Sequence, residues 1–124
     1  MGCIVTTTRK QRTMKTWELF LDDRRECPAS LNGEDRKVAR AVQEAKELVL
    51  QYGPPNMMWL DHDLGMVNGK TSDTMEFLNW FMEQCQTVWG YYPEFDYFVI
   101  SDNPVGRKRI ESFMTAYIRL VHGM

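Results

Sequence analysis

The chain has 124 residues, which fits a single domain with an ordinary buried core. Its hydrophobic content of 44% and charged content of 26% are typical of a soluble globular protein. The net charge of -2 argues against general DNA binding through a basic surface, so any phosphate contacts come from a few arginines. No apolar run approaches the ~18 residues that cross a bilayer, and we therefore expect no membrane partner.

Cysteine usage bears on the cellular compartment. Cys3, Cys27 and Cys85 are an odd number of cysteines and lack the spacing of metal ligands. We expect free thiols and a cytoplasmic protein, because structural disulfides persist mainly in oxidising compartments. A small single domain of this kind suits a bacterial or phage cytoplasm.

The first half of the chain begins with a basic segment. Residues 1–16 carry four Lys or Arg side chains without helical periodicity, and we interpret them as a loosely ordered lead-in to a domain over residues 17–124. The apolar run from Trp17 to Leu21 predicts the first strand. Apolar residues at helical spacing from Val42 to Val49 predict a helix, which the Gly-Pro-Pro of residues 53–55 ends.

Two segments next to this helix need a separate interpretation. The segment from Lys37 to Arg40 is either the first turns of the helix, which helix propensity favours, or a separate short strand. Met57 to Leu60 is a short apolar run that predicts a buried central strand. We interpret Asp61 to Thr71 as a loop, because it contains Asn68-Gly69.

The second half predicts two helices and one further strand. Ser72 or Asp73 can cap a helix that runs to about Gln86, and an aromatic loop follows it. Asp96 to Ile100 predicts the last strand, and Pro104 fits the first turn of a final helix. Strands that alternate with helices require parallel pairing, so we expect a small three-layer α/β domain with helices on both faces of the sheet.

Two of the predicted strands run directly into acids. Asp22 and Asp23 follow the first strand, and Asp61, His62 and Asp63 follow the central one. If these strands are parallel neighbours, their carboxyl ends meet at one edge of the sheet, where open α/β proteins bind ligands. Clustered carboxylates repel one another unless a cation lies among them, and oxygen ligands without cysteine favour Mg²⁺ or Mn²⁺. A single aspartate is more often a helix cap or a solvated loop acid, but this pairing favours a metal site.

Other polar residues at the strand ends suit phosphate chemistry. His62 lies between two carboxylates and is a candidate for proton transfer, the alternative being an imidazole that satisfies a loop carbonyl. Arg25 can fork onto a phosphate or pair with a nearby acid. Ser101, Asn103 and Gly106 lie where the last strand enters the final helix, and such a junction presents backbone N–H groups to anions.

Three motifs together resemble one known family. They are Leu21-Asp22-Asp23 with Arg25, then Leu60-Asp61-His62-Asp63-Leu64-Gly65, then Ser101-Asp102-Asn103-Pro104-Val105-Gly106. The family is that of the cyclic-phosphate processing receiver (cREC) domains, compact relatives of response-regulator receivers. The resemblance runs from about Trp17 to Leu120. It implies a receiver-like, flavodoxin-like parallel sheet of order 2-1-3-4, in which the segment before Ala41 is a strand that ends at the family's arginine position, here Arg40.

The resemblance also implies roles for the motif residues. Asp22 and Asp23 correspond to the metal-binding acids of receivers, Asp61 to the phosphoacceptor position, and Ser101 to the hydroxyl that contacts the phosphoryl group. We predict that Mg²⁺ or Mn²⁺ binds to Asp22, Asp23 and Asp61. We predict catalytic roles for His62, Asp61 and Asp63. The residues predicted to bind the substrate phosphate are Arg25, Arg40, Ser101, Asn103 and Gly106.

The function implied is that of a metal-assisted phosphoesterase, a phosphodiesterase-type hydrolase that processes a cyclic phosphate on a nucleotide or on a 2′,3′-cyclic RNA end. On this hypothesis Asp63 orients His62, which transfers the proton. Two alternatives belong to other classes: a regulatory module that takes a phosphoryl group on Asp61, and a domain that binds a nucleotide without turnover. Ile100 stands where the family commonly has a histidine, which keeps the binding alternative open. A receiver's terminal strand with its lysine is not found, which argues against ordinary phosphorelay.

Overall fold

The computed structural model describes residues 16–23, 26, 35–67 and 70–123. In this part of the chain the strands are β1 (Trp17–Leu21), β2 (Asp35–Ala39), β3 (Met57–Leu60), β4 (Asp63–Val67), β5 (Lys70–Asp73) and β6 (Asp96–Val99). The helices are α1 (Val42–Tyr52), α2 (Thr74–Gln84) and α3 (Pro104–Val121). The main sheet is parallel and has the order β2-β1-β3-β6, which is 2-1-3-4 when only its own strands are counted. The predicted receiver-like sheet is therefore confirmed.

The register of the sheet brings three strand ends level. Leu21 at the end of β1 lies opposite Ala39 of β2 and opposite Leu60 of β3. The pairing continues one residue beyond the strands, because the N–H of Asp22 donates to the carbonyl of Ala39 (3.1 Å) and the N–H of Asp61 donates to that of Leu21 (3.0 Å). The residues that follow β1 and β3 are thus held side by side.

One hydrophobic core joins the sheet to the helices. Side chains alternate between the two faces of a strand, so Trp17, Leu19 and Leu21 of β1 point to the same side. They belong to one buried cluster with residues of all three helices. The helix residues buried in that cluster are Val42, Ala45, Val49, Phe77, Leu78, Phe81, Ile110, Met114 and Tyr117. None of the helices described here is long and apolar enough to cross a membrane.

The helices cover one face of the sheet for a topological reason. The connections from β2 through α1 to β3, and from β3 through α2 to β6, step across the sheet in the same direction. Right-handed crossovers that step in one direction place their helices on one face. Only the connection from β1 to β2 steps the other way, and residues 27–34 of it lie outside the described residues. Within the described part, the expectation of helices on both faces is therefore met on one face only.

The opposite face of the sheet carries a packed group of aromatic and charged side chains. Trp59 and Phe98 stack with their ring centroids 4.6 Å apart. The guanidinium of Arg36 lies 4.8 Å from the Trp59 ring centroid and pairs with the Glu18 carboxylate at 2.7 Å. Both side chains of this ion pair are largely buried, and their pairing offsets the cost of removing the two charges from water.

The main difference from the predicted elements is a hairpin after β3. Strands β4 and β5 pair antiparallel, with Asp63 opposite Asp73, where the sequence analysis predicts a loop over residues 61–71. An Asn-Gly dipeptide predicts a hairpin strongly when alternating apolar and polar residues flank it. Asn68-Gly69 lacks such flanking residues, and for this reason the segment is predicted as a loop. The hairpin returns Asp73 to the neighbourhood of Asp63.

The conformation of two further segments is decided by strand pairing and by a helix cap. The segment from Lys37 is part of strand β2, as the resemblance implies and against helix propensity, because it pairs with β1 along its whole length. Helix α2 begins after Asp73, whose side chain accepts from the N–H groups of Met75 and Glu76, so the predicted cap is confirmed. A π-helical turn over Cys85–Trp89 then replaces the start of the predicted loop.

The cysteine prediction is confirmed where the structure describes it. Cys85 is a free, buried thiol, whereas Cys3 and Cys27 lie outside the described residues. Burial raises the pKa of the Cys85 thiol, and a hydrogen bond with Tyr117 offsets part of that rise. The thiol therefore stays protonated and acts as a small apolar core group.

Phe81 offers a test of the core. Its ring meets the edges of Trp89 and Phe95 at centroid distances of 5.2 and 5.6 Å, so removing it leaves a cavity among aromatic neighbours. We expect Phe81→Ala to lower the free energy of unfolding by about 3–5 kcal/mol, measured by chemical denaturation. The matched control is Val88→Ala, because Val88 is 65% exposed and the change should stay within about 0.5 kcal/mol. Equal effects of the two substitutions would contradict this placement of the core.

Candidate functional site

Three carboxylates meet at the level ends of β1 and β3. Asp22, Asp23 and Asp61 each offer an oxygen, and these oxygens all lie within 4.8 Å of one another. Asp22 and Asp61 are buried and Asp23 is half-buried. Two unit charges about 5 Å apart repel by roughly 3 kcal/mol at an effective dielectric constant of 20, so such a cluster favours a cation at its centre. An all-oxygen donor set of this kind fits Mg²⁺ or Mn²⁺.

Arg40 lies next to this cluster. Its guanidinium donates from Nη1 to the carbonyl of Asp22 at 3.0 Å, and its backbone N–H donates to the Glu44 carboxylate at 2.6 Å. The side chain therefore starts at the end of β2 and reaches across to the end of β1. Its predicted contact with phosphate stays a prediction, as does that of Arg25, which lies outside the described residues.

His62 and Asp63 form a hydrogen-bonded pair directly after Asp61. Nδ1 of His62 lies 2.8 Å from Oδ1 of Asp63. The hydrogen bond from His62, joined by one from Asn103, holds the pKa of the Asp63 carboxyl below its usual value, although desolvation opposes the shift. Asp63 is thus a carboxylate that accepts, and Nδ1 of His62 carries the hydrogen that is donated.

The two side chains of this pair differ strongly in exposure. The His62 side chain is only 8% exposed, whereas the Asp63 side chain is 63% exposed. Nε2 of His62 is buried without a hydrogen-bond partner among the described residues, and it lies 3.7 Å from Oδ2 of Asp73. The group of this pair that a ligand can reach is therefore the Asp63 carboxylate, and the imidazole lies behind it.

Asn103 connects this pair to the start of helix α3. Its Oδ1 caps the helix by accepting from the N–H groups of Val105 and Gly106, at 3.0 and 3.2 Å. Its Nδ2 donates to Oδ2 of Asp63 at 3.2 Å, and its own N–H donates to Oγ of the buried Ser101 at 3.1 Å. The phosphate contacts predicted for Ser101, Asn103 and Gly106 stay predictions, and these hydrogen bonds show what the same groups do in the protein itself.

Gly106 lies directly against the imidazole of His62. A Cβ at this position would stand 2.3 Å from Cγ of His62 and 2.6 Å from both its Cβ and its Nδ1. Because one of these atoms is the Cβ of His62, a rotation of the ring alone does not make room. The first turn of α3 therefore needs glycine here in order to pack against a buried histidine.

Two contributions to the site are not found by sequence reasoning. The N–H of Thr74 donates to the carbonyl of His62 at 2.9 Å, and its buried hydroxyl donates to the carbonyl of Asp61. Asp73 faces His62 only because of the β4–β5 hairpin, which the Asn68-Gly69 dipeptide would have indicated. No local pattern indicates the role of Thr74, which depends on where helix α2 begins.

The strand order and the polar residues at the strand ends are those of receiver domains. A parallel sheet of order 2-1-3-4 with acids after β1 and β3 and a buried serine after the last strand is a receiver-like α/β domain. A family model described as the Cyclic-phosphate processing Receiver domain matches residues 17–116. The chain therefore belongs to the cyclic-phosphate processing receiver domain family. The curated proteins and the solved structures compared with the chain give no significant match.

Gly106→Ala tests the contact with His62. Replacing glycine by alanine within a helix ordinarily stabilises it by about 0.5–1 kcal/mol. Here the added methyl group meets His62, so we expect a net loss of about 1–3 kcal/mol of unfolding free energy, as for overpacked cores. The imidazole ¹⁵N resonances of His62 should shift at the same time.

The matched control is the same substitution in a His62→Gly background, which removes both the ring and its Cβ. The loss caused by Gly106→Ala should disappear there, and the difference between the two backgrounds gives the coupling. A stabilising Gly106→Ala in the original background would contradict the contact.

Proposed function

We propose that this domain hydrolyses a cyclic phosphate ester, on a nucleotide or an RNA end, to a phosphomonoester with the help of a divalent cation. The observation that supports this proposal best is the placement of two kinds of group in one site. One is a cluster of three carboxylates suited to Mg²⁺ or Mn²⁺, which includes Asp61. The other is the exposed carboxylate of Asp63, two positions further along the chain, which is hydrogen-bonded to the buried His62. The membership of the cyclic-phosphate processing family supports the same substrate class.

Asp22, Asp23 and Asp61 would hold the cation. When bound, the ion would neutralise these carboxylates and polarise the phosphoryl oxygen. Arg40 at the end of β2 is a cationic side chain placed next to the cluster, and its guanidinium would stabilise the negative charge that grows on the phosphate. Ser101 can donate from its hydroxyl while still accepting from Asn103, because a hydroxyl has one donor and two acceptor sites.

Asp63 would transfer the proton. Its carboxylate would take a proton from the attacking water as the oxygen bonds to phosphorus, and would return that proton to the ring oxygen as its bond to phosphorus breaks. Each carboxylate oxygen keeps a free acceptor site beside its hydrogen bond to His62 or Asn103. His62 would hold the carboxylate in place by donating from Nδ1. The water and the cyclic ester thereby become a monoester with a free hydroxyl.

The cation should stabilise the folded protein. We expect Mg²⁺ or Mn²⁺ at about 100 times its dissociation constant to add about 2.7 kcal/mol to the unfolding free energy, seen as a rise in Tm. Asp61→Asn should abolish most of this rise and the heat of binding in calorimetry. The matched control is Asp96→Asn, because Asp96 is exposed and lies at the amino end of β6, opposite Met57 at the start of β3 and therefore away from Asp61. Equal stabilisation of both variants would rule out the proposed ligand set.

Turnover should depend most strongly on Asp63. With 2′,3′-cyclic nucleotides as substrates, we expect Asp63→Asn to lower kcat by about 100- to 10,000-fold, as for the loss of a general base. His62→Gln should lower it less, since it removes only the hydrogen bond that orients the carboxylate. Product formation is measured by chromatography in the presence of Mg²⁺ or Mn²⁺.

Other outcomes of this experiment separate the alternatives. If His62→Gln abolishes turnover while Asp63→Asn retains it, the imidazole transfers the proton itself, as the sequence analysis assumes. Tight binding without any product would favour a domain that only binds the nucleotide. An added phosphoryl mass that Asp61→Asn removes, after treatment with a small phosphodonor, would favour the regulatory module.

A further inference from the structure

An open groove runs between the first turns of helices α2 and α3. Its volume is about 530 Å³, within the ~300–1,000 Å³ of typical small-molecule sites. The residues that line it are Met75, Val105, Lys108, Arg109, Ser112 and Phe113. None of these residues belongs to the acid cluster or to the His62–Asp63 pair.

Asp73 links the rim of the groove to His62. Nη1 of Arg109, at the rim of the groove, lies 3.7 Å from Oδ2 of Asp73. The same oxygen lies 3.7 Å from Nε2 of His62. Asp73 therefore lies between the imidazole of His62 and the side chain of Arg109, so the rim of the groove adjoins the candidate site.

The lining combines an apolar floor with a cationic rim. Met75, Val105 and Phe113 provide the floor, and Val105 is 68% exposed although it is apolar. Lys108 and Arg109 provide two positive charges on the exposed side of the same helix. A flat apolar ring that is attached to an anionic group matches both features at once.

We propose that this groove binds the nucleobase of a cyclic nucleotide whose phosphate lies at the acid cluster. This inference depends on the proposed function, because that function places the phosphate end of the ligand at the neighbouring site. Phe113 and Met75 offer aromatic and polarisable surface on which a base can pack, and base stacking on an aromatic ring tolerates any base. The positive charges of Lys108 and Arg109 at the rim attract an anionic nucleotide towards this part of the surface.

Binding of the base in this groove would serve the chemistry at the other end of the ligand. Contacts with a part of the substrate that does not react can hold the reacting phosphate in place. The domain should therefore prefer a nucleoside cyclic phosphate over the same ribose cyclic phosphate without a base. The shape of the groove favours no particular base.

Steady-state kinetics tests this preference on two substrates in the presence of Mg²⁺ or Mn²⁺. One is adenosine 2′,3′-cyclic phosphate, and the other is 1-O-methylribose 2′,3′-cyclic phosphate, which lacks the base. We expect kcat/KM to be at least tenfold higher for the nucleotide. Val105→Glu places a negative charge on the apolar floor and should reduce this preference at least tenfold, chiefly through KM. The matched control is Val88→Glu, because Val88 is 65% exposed and lies outside the groove.

A binding measurement keeps this inference separate from turnover. The ¹³C-methyl resonance of Met75 is followed while adenosine 2′-monophosphate or ribose 5-phosphate is added. We expect a shift with the nucleotide alone, and its loss in Val105→Glu but not in Val88→Glu. If Met75 responds while neither cyclic substrate is turned over, the groove proposal holds and the hydrolase proposal fails. If turnover occurs without a preference for the base and Met75 does not respond, the groove proposal is overturned and the hydrolase proposal stands.

Discussion

The site depends on one constraint, the parallel pairing that brings the ends of β1 and β3 level. The N–H of Asp61 donates to the carbonyl of Leu21, so the acids that follow the two strands cannot separate. Like charges are thereby forced together, and the repulsion is compensated when a cation lies among them. Slipping either strand by one residue would turn its acids to the other face of the sheet. The backbone hydrogen bonds that form the fold therefore also hold the three carboxylates together.

The second half of the site is built on the start of helix α3. Asn103 caps the helix with one atom of its side chain and holds Asp63 with the other, while Gly106 lets the helix approach the His62 ring. Helix position, imidazole position and carboxylate orientation are consequently linked. The hydrogen bonds of Asn103 and the contact of Gly106 with His62 therefore fix these side chains without any ligand.

Much of the fold can be predicted from local patterns. Apolar runs identify β1, β3 and β6, helical spacing identifies α1, and Pro104 marks the start of α3. Strand β2 is ambiguous because it is an edge strand with polar residues, and only its pairing with β1 decides its conformation. The β4–β5 hairpin is missed because its flanking residues lack a clear alternation. The placement of α1 and α2 on one face follows from the direction of the crossovers, which no single segment reveals.

Local patterns in the sequence are enough to indicate the family, the order of the motifs and the three acids, because strand ends and residue types are local properties. The burial of His62, the exposure of Asp63, the approach of Asp73 to the imidazole and the groove along α3 appear only in the packed molecule. The physical reason is that burial and proximity depend on how helices α2 and α3 pack against the strand ends. Packing joins residues that are distant along the chain, and no short pattern in the sequence records those contacts.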